Sequence, residues 1–176
     1  MTIGNPSQTL AKWRDINVRS STYFIADTAG ICRHCHESTR LIALGLPRDH
    51  ESLYVESDAK IAGPAEEVWQ LAKLNAFVFY IEYLPEGVLN RVRQLSPFYG
   101  FAHSEATTSS FWSNHCENCG SLQVDHEMFC EPDGAFTPAS EIAAAEIELV
   151  HIDAPFAAAA AGYALQPEFF EFMRRA

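Results

Sequence analysis

Two short motifs, Cys32-Arg33-His34-Cys35 and Cys116-Glu117-Asn118-Cys119, restrict the folding of this chain more than any other feature of it. Two residues between paired cysteines let a tight turn aim both sulfurs at one point, so each pair supplies half of a tetrahedron. Two pairs and a leftover Cys130 form the pattern of a four-ligand metal site rather than a disulfide framework. Cys32, Cys35, Cys116 and Cys119 are therefore the expected ligands of one structural Zn²⁺, and a four-thiolate shell leaves no position open for water or substrate. Iron suits the same cage chemically. Gly120 lets the chain leave the second turn with positive φ at no steric cost. A redox dithiol should open a helix inside a βαβ unit, and both pairs lie instead between strand-like segments.

The pairs look like zinc knuckles of the zinc-ribbon class, and the run from Asn114 to Asp125 is similar to a segment of functionally uncharacterised bacterial ribbon proteins. That resemblance covers roughly 35 residues and implies a ribbon with a Cys₄ zinc, without an activity or substrate. The chain departs from compact ribbons in one respect: 80 residues lie between Cys35 and Cys116. The interval must be a folded insertion. The expected architecture is α+β, an antiparallel zinc ribbon split between 22–46 and 107–130, with an α/β insertion at 47–106 and a C-terminal segment at 131–176, all in one domain.

Charge narrows the choice of partner. With 23 acidic and 12 basic residues the formal charge is -11, and four thiolates around a divalent ion take it to about -13. Duplex binding depends on Lys and Arg neutralising phosphates, so an acidic chain is poorly suited to it. A basic protein partner is better matched. The exception is a local patch formed by Arg33, His34, His36, Arg40 and Arg48 around the first pair. The most apolar run, Ala76 to Leu84, is interrupted by Glu82 and falls short of the roughly 20 residues a bilayer span needs. Met1 to Ser20 has no apolar core of a secretory signal, which leads to the expectation of a cytoplasmic location.

Local patterns supply the elements. Leu10 and Trp13, three apart, suggest a short helical turn in an N-terminal arm docked by Trp13. Tyr23-Phe24-Ile25 and Thr39 to Leu46 read as strands flanking the first pair, and Leu53-Tyr54-Val55 as a short strand. Pro64, Glu66 and Glu67 followed by Val68, Leu71 and Ala72 predict a helix from Pro64 to about Leu74. Phe77 to Tyr83 is β-branched and aromatic on both faces, as suits a central strand covered on two sides. Pro85 opens a second helix with the stripe Val88, Leu89, Val92 and Leu95, stopped by Pro97, with Arg91, Arg93 and Gln94 on its solvated face. A strand from Thr107 to Ser113 leads into the second pair and Leu122 to Phe129 leads out. Glu131 to Gly134 is a turn, Ile147 to Ile152 a strand, Ala157 to Ala161 either helix or edge strand, and Pro167 to Arg175 a helix with Phe169, Phe170 and Met173 inward.

Nucleophile elbows, P-loops, HExxH helices and dinucleotide-binding turns are missing from the sequence. Asp125, His126 and Glu127 read as surface, with Asp125 and Glu127 on one face at strand spacing. His103 with Glu105 sits in a polar loop and is a thin basis for a nuclease. His34, His36 and His115 flank a shell already filled by sulfur, and His126 and His151 are packing or surface residues. Cys130, beside Met128 and Phe129, reads as a buried thiol. The expected function is a non-enzymatic, zinc-stabilised binding module or regulator that adapts or neutralises a basic protein; a metal-dependent nuclease, or a ribbon binding nucleic acid through the basic patch, is the alternative.

Overall fold

The computed structural model describes residues 15–56, 66–165 and 169–176. The N-terminal arm with Leu10 and Trp13 lies outside the described residues. No helix among those described is long and apolar enough to cross a membrane.

The chain is mostly β, contrary to the expected α+β balance. One mixed sheet of eleven strands runs through the described residues. In chain order these are β1 (Val18–Ser20), β2 (Tyr23–Ile31), β3 (Ser38–Leu46), β4 (Glu51–Glu56), β5 (Glu66–Leu71), β6 (Ala76–Tyr83), β7 (Tyr99–Ser104), β8 (Ser109–Asn114), β9 (Glu148–Ile152), β10 (Phe156–Leu165) and β11 (Arg174–Arg175). The spatial order is β11-β9-β2-β3-β6-β10-β1-β4-β5, with the β7–β8 hairpin attached through β8 to β6. All pairings are antiparallel except that of β11 with β9.

Two expected helices change, and so does the alanine run read as helix or edge strand. The first, Pro64 to Leu74, is the strand β5 over its described part, pairing with β4 so that Trp69 faces Leu53 and Val68 faces Tyr54. Arg19 stacks 4.2 Å over the Trp69 ring while pairing with Glu51, and such cross-strand contacts outweigh the weak helical preference of a short acidic segment. At the C-terminus a single 3₁₀ turn, Phe170–Phe172, followed by β11 replaces the helix over the described residues, although Phe170 and Met173 are buried as expected. The alanine run is neither a helix nor an edge strand. It belongs to β10, held between β6 and β1, where small side chains and Gly162 leave room for the Phe79 ring to lie against the backbone.

Strand periodicity sorts the core into two halves, one on each face of the sheet. Ile25, Ile42, Leu44 and Val78 face one way and pack with Trp112, Phe156 and the helix α1 (Glu86–Leu95). The alternate residues Ala26, Leu41, Ala43, Phe77 and Phe79 face the other way, under Phe129, Phe136 and Phe170. The central position of β6 and the buried stripe Val88, Leu89 and Val92 of α1 agree with the sequence pattern.

Where β6 diverges from β3, their pairing stops at Leu44. Asn114, at the end of β8, takes the vacant place. Its side chain accepts the Ile42 N–H at 2.8 Å and donates to the Ile42 carbonyl at 2.9 Å, acting as a one-residue strand partner, and it is only 2% exposed. Asn114→Ala should cost roughly 2–4 kcal/mol, because both buried backbone groups of Ile42 lose their partner. Urea unfolding of the variant against the parent measures this, and an effect below about 0.5 kcal/mol would show that water replaces the amide.

Candidate metal centre

The β2–β3 hairpin loop carries Cys32 and Cys35, and the turn after β8 carries Cys116 and Cys119. Both loops fold alike. In the first, the Cys32 N–H bonds the Glu37 carbonyl at 3.0 Å and the His36 N–H bonds the Cys32 carbonyl at 2.8 Å; in the second, the Cys116 N–H bonds the Ser121 carbonyl and the Gly120 N–H bonds the Cys116 carbonyl, both at 2.9 Å. The residue after each second cysteine is left-handed, with φ of 61° at His36 and 72° at Gly120. Glycine fits that position freely; histidine occupies it at a cost.

The second loop is fastened to β3. The Glu117 N–H donates to the Thr39 hydroxyl at 3.1 Å, and the Asn118 side chain donates to the Ser38 carbonyl at 2.9 Å. Together with Asn114 these bonds bring the four sulfurs within 4.8 Å of one another, with Cys32 and Cys119 3.8 Å apart and Cys35 and Cys116 3.6 Å apart. A tetrahedral thiolate shell with bonds of about 2.3 Å spaces its sulfurs about 3.8 Å apart, so the cluster can hold one metal ion. Cys32 and Cys116 are buried and Cys119 is exposed.

Polar groups around the sulfurs set their protonation. The Ser121 hydroxyl, followed by the amides of Cys35 and His34, holds the Cys32 thiol down at about 5. Cys35 receives the Glu37 amide, but burial and the sulfurs of Cys116, Cys119 and Cys32 outweigh it and push this thiol up to about 12. Burial raises Cys116, and the amides of Cys119 and Asn118 more than offset that, leaving it lowered. Crowded sulfurs cannot all ionise by themselves; a divalent cation displaces the remaining protons. Ser121 lies 3.2 Å from both Cys32 and Cys119, and Gln123 reaches Cys32 at 3.6 Å.

The histidines stay outside this shell. His34 and His36 are exposed, and the His115 ring lies against the Phe98 carbonyl at 3.2 Å. Cys130 is exposed, not buried, and stands apart from the cluster. His103 and Glu105 lie at the far end of the β7–β8 hairpin from the second cysteine pair. Two arginines of the basic patch are engaged by acids: Arg33 pairs with Glu127 at 2.5 Å, and the Arg40 Nε donates to Asp27 at 3.0 Å while its Nη1 caps the Leu95 carbonyl of α1 at 2.8 Å.

Asp125 requires a correction. Leu122 to Phe129 is not a strand; Leu122 makes one bridge with His115 and the chain then forms α2 (Asp125–Phe129). Asp125 is 3% exposed. Its carboxylate accepts the Ser113 hydroxyl and, at 2.8 Å, the N–H of Tyr80, a β6 residue with φ of 48°. That backbone is unfavourable for a tyrosine, and the carboxylate together with Phe79 and Phe111 packed against the ring holds it there. Sequence reasoning missed Asn114, Thr39, Ser121 and Asp125 in these roles because their partners lie on distant strands; only Ser121 and Gln123 carried a local signal, their closeness to Cys119.

No known family model, curated protein or solved structure matches the chain.

Two outcomes follow from this geometry. Ser121→Ala should lower metal affinity about 10-fold or more by removing a hydroxyl that bridges two of the sulfurs, read by competition with a chromophoric chelator; unchanged affinity would make the hydroxyl a bystander. Burial pushes the Asp125 carboxyl up to about 6 from its ordinary 3.8, against the opposing bonds of Ser113 and Tyr80. A raised folded value means stability that is complete below about 3.8 and lost as pH rises through about 6. Asp125→Asn, which can still accept from Tyr80 and donate to Ser113, should therefore gain stability relative to the parent between pH 4 and 7. A flat difference in urea midpoints across that range would refute it.

Proposed function

We propose that this protein is a non-enzymatic binding module stabilised by one zinc ion, built as a split zinc ribbon and acting on a basic protein partner. The observation that carries the reading is the closure of four sulfurs from two distant hairpin ends to tetrahedral spacing. A complete sulfur shell offers no open position, so its contribution is structural. Zinc is favoured because a compact, redox-inert tetrahedral ion suits four thiolates held by polar donors. Its formal charge of -11 favours a cationic partner through steering and surface complementarity. A nucleic-acid reading draws on Arg33 and Arg40, both already paired with carboxylates, and a nuclease reading draws on His103 and Glu105, remote from the cysteines along β8.

Apparent zinc-binding energies of about 10–16 kcal/mol in small thiolate sites exceed the several kcal/mol of entropy needed to close a long loop. The ion therefore has the strength to govern the stability of β6 and α1, which lie between the two pairs. Protein purified without chelator should contain one zinc per chain with sulfur-only coordination by X-ray absorption. Under half an equivalent of zinc, or nitrogen in the shell, overturns the metal assignment. Cys116→Ser should abolish hydrogen-exchange protection over Ala76–Tyr83 as well as around the loops. Protection confined to its parental level in β6 would reduce the cluster to a local clip. The binding role is tested by recovery of basic proteins on the zinc-loaded chain, with the bound fraction released by moderate salt; turnover of nucleic acid or ester substrates abolished by a point mutation would replace it with an enzyme.

A further inference from the structure

The sheet leaves one stretch of edge open beside the metal centre. β2 pairs with β3 from Phe24 to Ile31, but with β9 only from Tyr23 to Asp27. Beyond Asp27, no strand among the described residues pairs with the outer side of Thr28–Ile31, and the stretch ends on Ile31, which is 67% exposed. An open edge presents unpaired N–H and C=O groups over about 13 Å, enough to template a short added strand.

A cleft opens on each face of this edge, and Ala29 lines both. The first, about 420 Å³, is on the face of Asp27, Arg40 and Glu148, with Glu117 and Glu146 on its wall. Asp27 holds Arg40, and Glu148 holds Arg174 at 3.0 Å. Glu117 and Glu146 remain without an ion-pair partner among the described residues. The second cleft, about 280 Å³, lies on the opposite face and is mixed: the exposed Val124 and Ile31 line it beside Arg33, Gln123, Glu127 and Asp133, over the buried Leu41 and Met128. An added strand points successive side chains to opposite faces. One set of alternate positions would thus meet the cleft of Glu117 and Glu146, and the other the side of the exposed Val124 and Ile31.

We propose that Thr28–Ile31 receives an extended segment of a partner protein as an added strand, with lysine or arginine at alternate positions toward Glu117 and Glu146, and aliphatic residues between them on the side of Val124 and Ile31. This rests on the binding-module reading above and adds where the partner sits and what pattern it carries. A second copy of the chain fits the edge less well, because pairing β2 with itself sets the same unpaired carboxylates and the same anionic thiolate centre against each other.

The test uses the zinc-loaded full chain, labelled with ¹⁵N, titrated with the acetylated and amidated peptide Lys-Val-Lys-Val-Lys-Val and with its counterpart carrying Glu for Lys. The basic peptide should shift the amides of Thr28–Ile31 and slow their exchange, and the acidic one should not. The double variant Glu117→Gln with Glu146→Gln should weaken the basic peptide about fivefold or more, with zinc content unchanged. Shifts centred elsewhere, equal binding of both peptides, no binding of the basic peptide, or an unaltered Kd in the double variant each overturns the proposal. Concentration-dependent broadening confined to Thr28–Ile31 without peptide would identify a self-paired edge and overturn it as well. Basic-peptide binding at another surface refutes this edge while leaving the zinc-stabilised module standing; that module fails separately, on its metal content and on salt-sensitive capture of basic proteins.

Discussion

Four sulfurs from two hairpin ends, with 80 residues between Cys35 and Cys116, must converge within 4.8 Å, and this requirement organises the sheet around it. The ends of β2 and β3 have to lie beside the end of β8, although β8 follows β6, α1 and β7 in the chain. The solution is a sheet that forks. β6 pairs with β3 near Leu44 to Leu46 and then veers toward β8 at Ile81 and Trp112, opening a wedge between β3 and β8. Asn114 fills the wedge, and the bonds from Glu117 and Asn118 to Thr39 and Ser38 carry the join forward to the cysteines. Convergence of the thiols is thus prepared by uncharged hydrogen bonds before any cation adds its own energy.

The fork has a second fastener. Asp125 draws the Tyr80 amide out of β6 and ties it to Ser113 of β8. A buried carboxylate is an expensive tie at neutral pH, but it is placed where β6 changes partners and where Tyr80 adopts a left-handed backbone. A hydrophobic residue at 125 would leave that amide unpaired in the interior. Asn114 and Asp125 therefore act as paired fasteners for one bend in the sheet, where β8 meets β3 and β6.

Local chemistry made some of this legible. The cysteine spacing indicated the four-sulfur cluster, Pro85 with the Val88, Leu89 and Val92 stripe marked α1, and the two-sided apolarity of Phe77 to Tyr83 placed β6 at the centre. Each signal is confined to a few neighbouring residues. The misread helices show the opposite case: Val68 and Leu71 are spaced for a helix, and only the register against Leu53 and Tyr54 decides for a strand. The alanines of β10 have helical propensity, which yields to pairing on both sides in the middle of a sheet. Asn114 and Asp125 gave no legible signal, since an isolated polar residue looks the same whether it faces water or satisfies a backbone group 72 residues away.

The open edge of β2 also bears on how such a sheet stays unaggregated. Exposed edges are usually blunted by charge, short length or a covering element. On the same side of the sheet, beyond β9, β11 is only two residues long and carries Arg174 and Arg175. The cleft beside Thr28–Ile31 carries four carboxylates, Asp27, Glu117, Glu146 and Glu148, against two cations, Arg40 and Arg174. If the edge takes up a basic strand as proposed, that charge would both disfavour pairing with another copy and favour the partner. A metal bound by the four sulfurs would contribute here as well as to the fold. By fixing the β2–β3 hairpin end against the turn after β8 it would hold Glu117 beside Thr39 and Arg40, and an edge whose flanking carboxylates are held in place would lose less conformational entropy on taking up a strand.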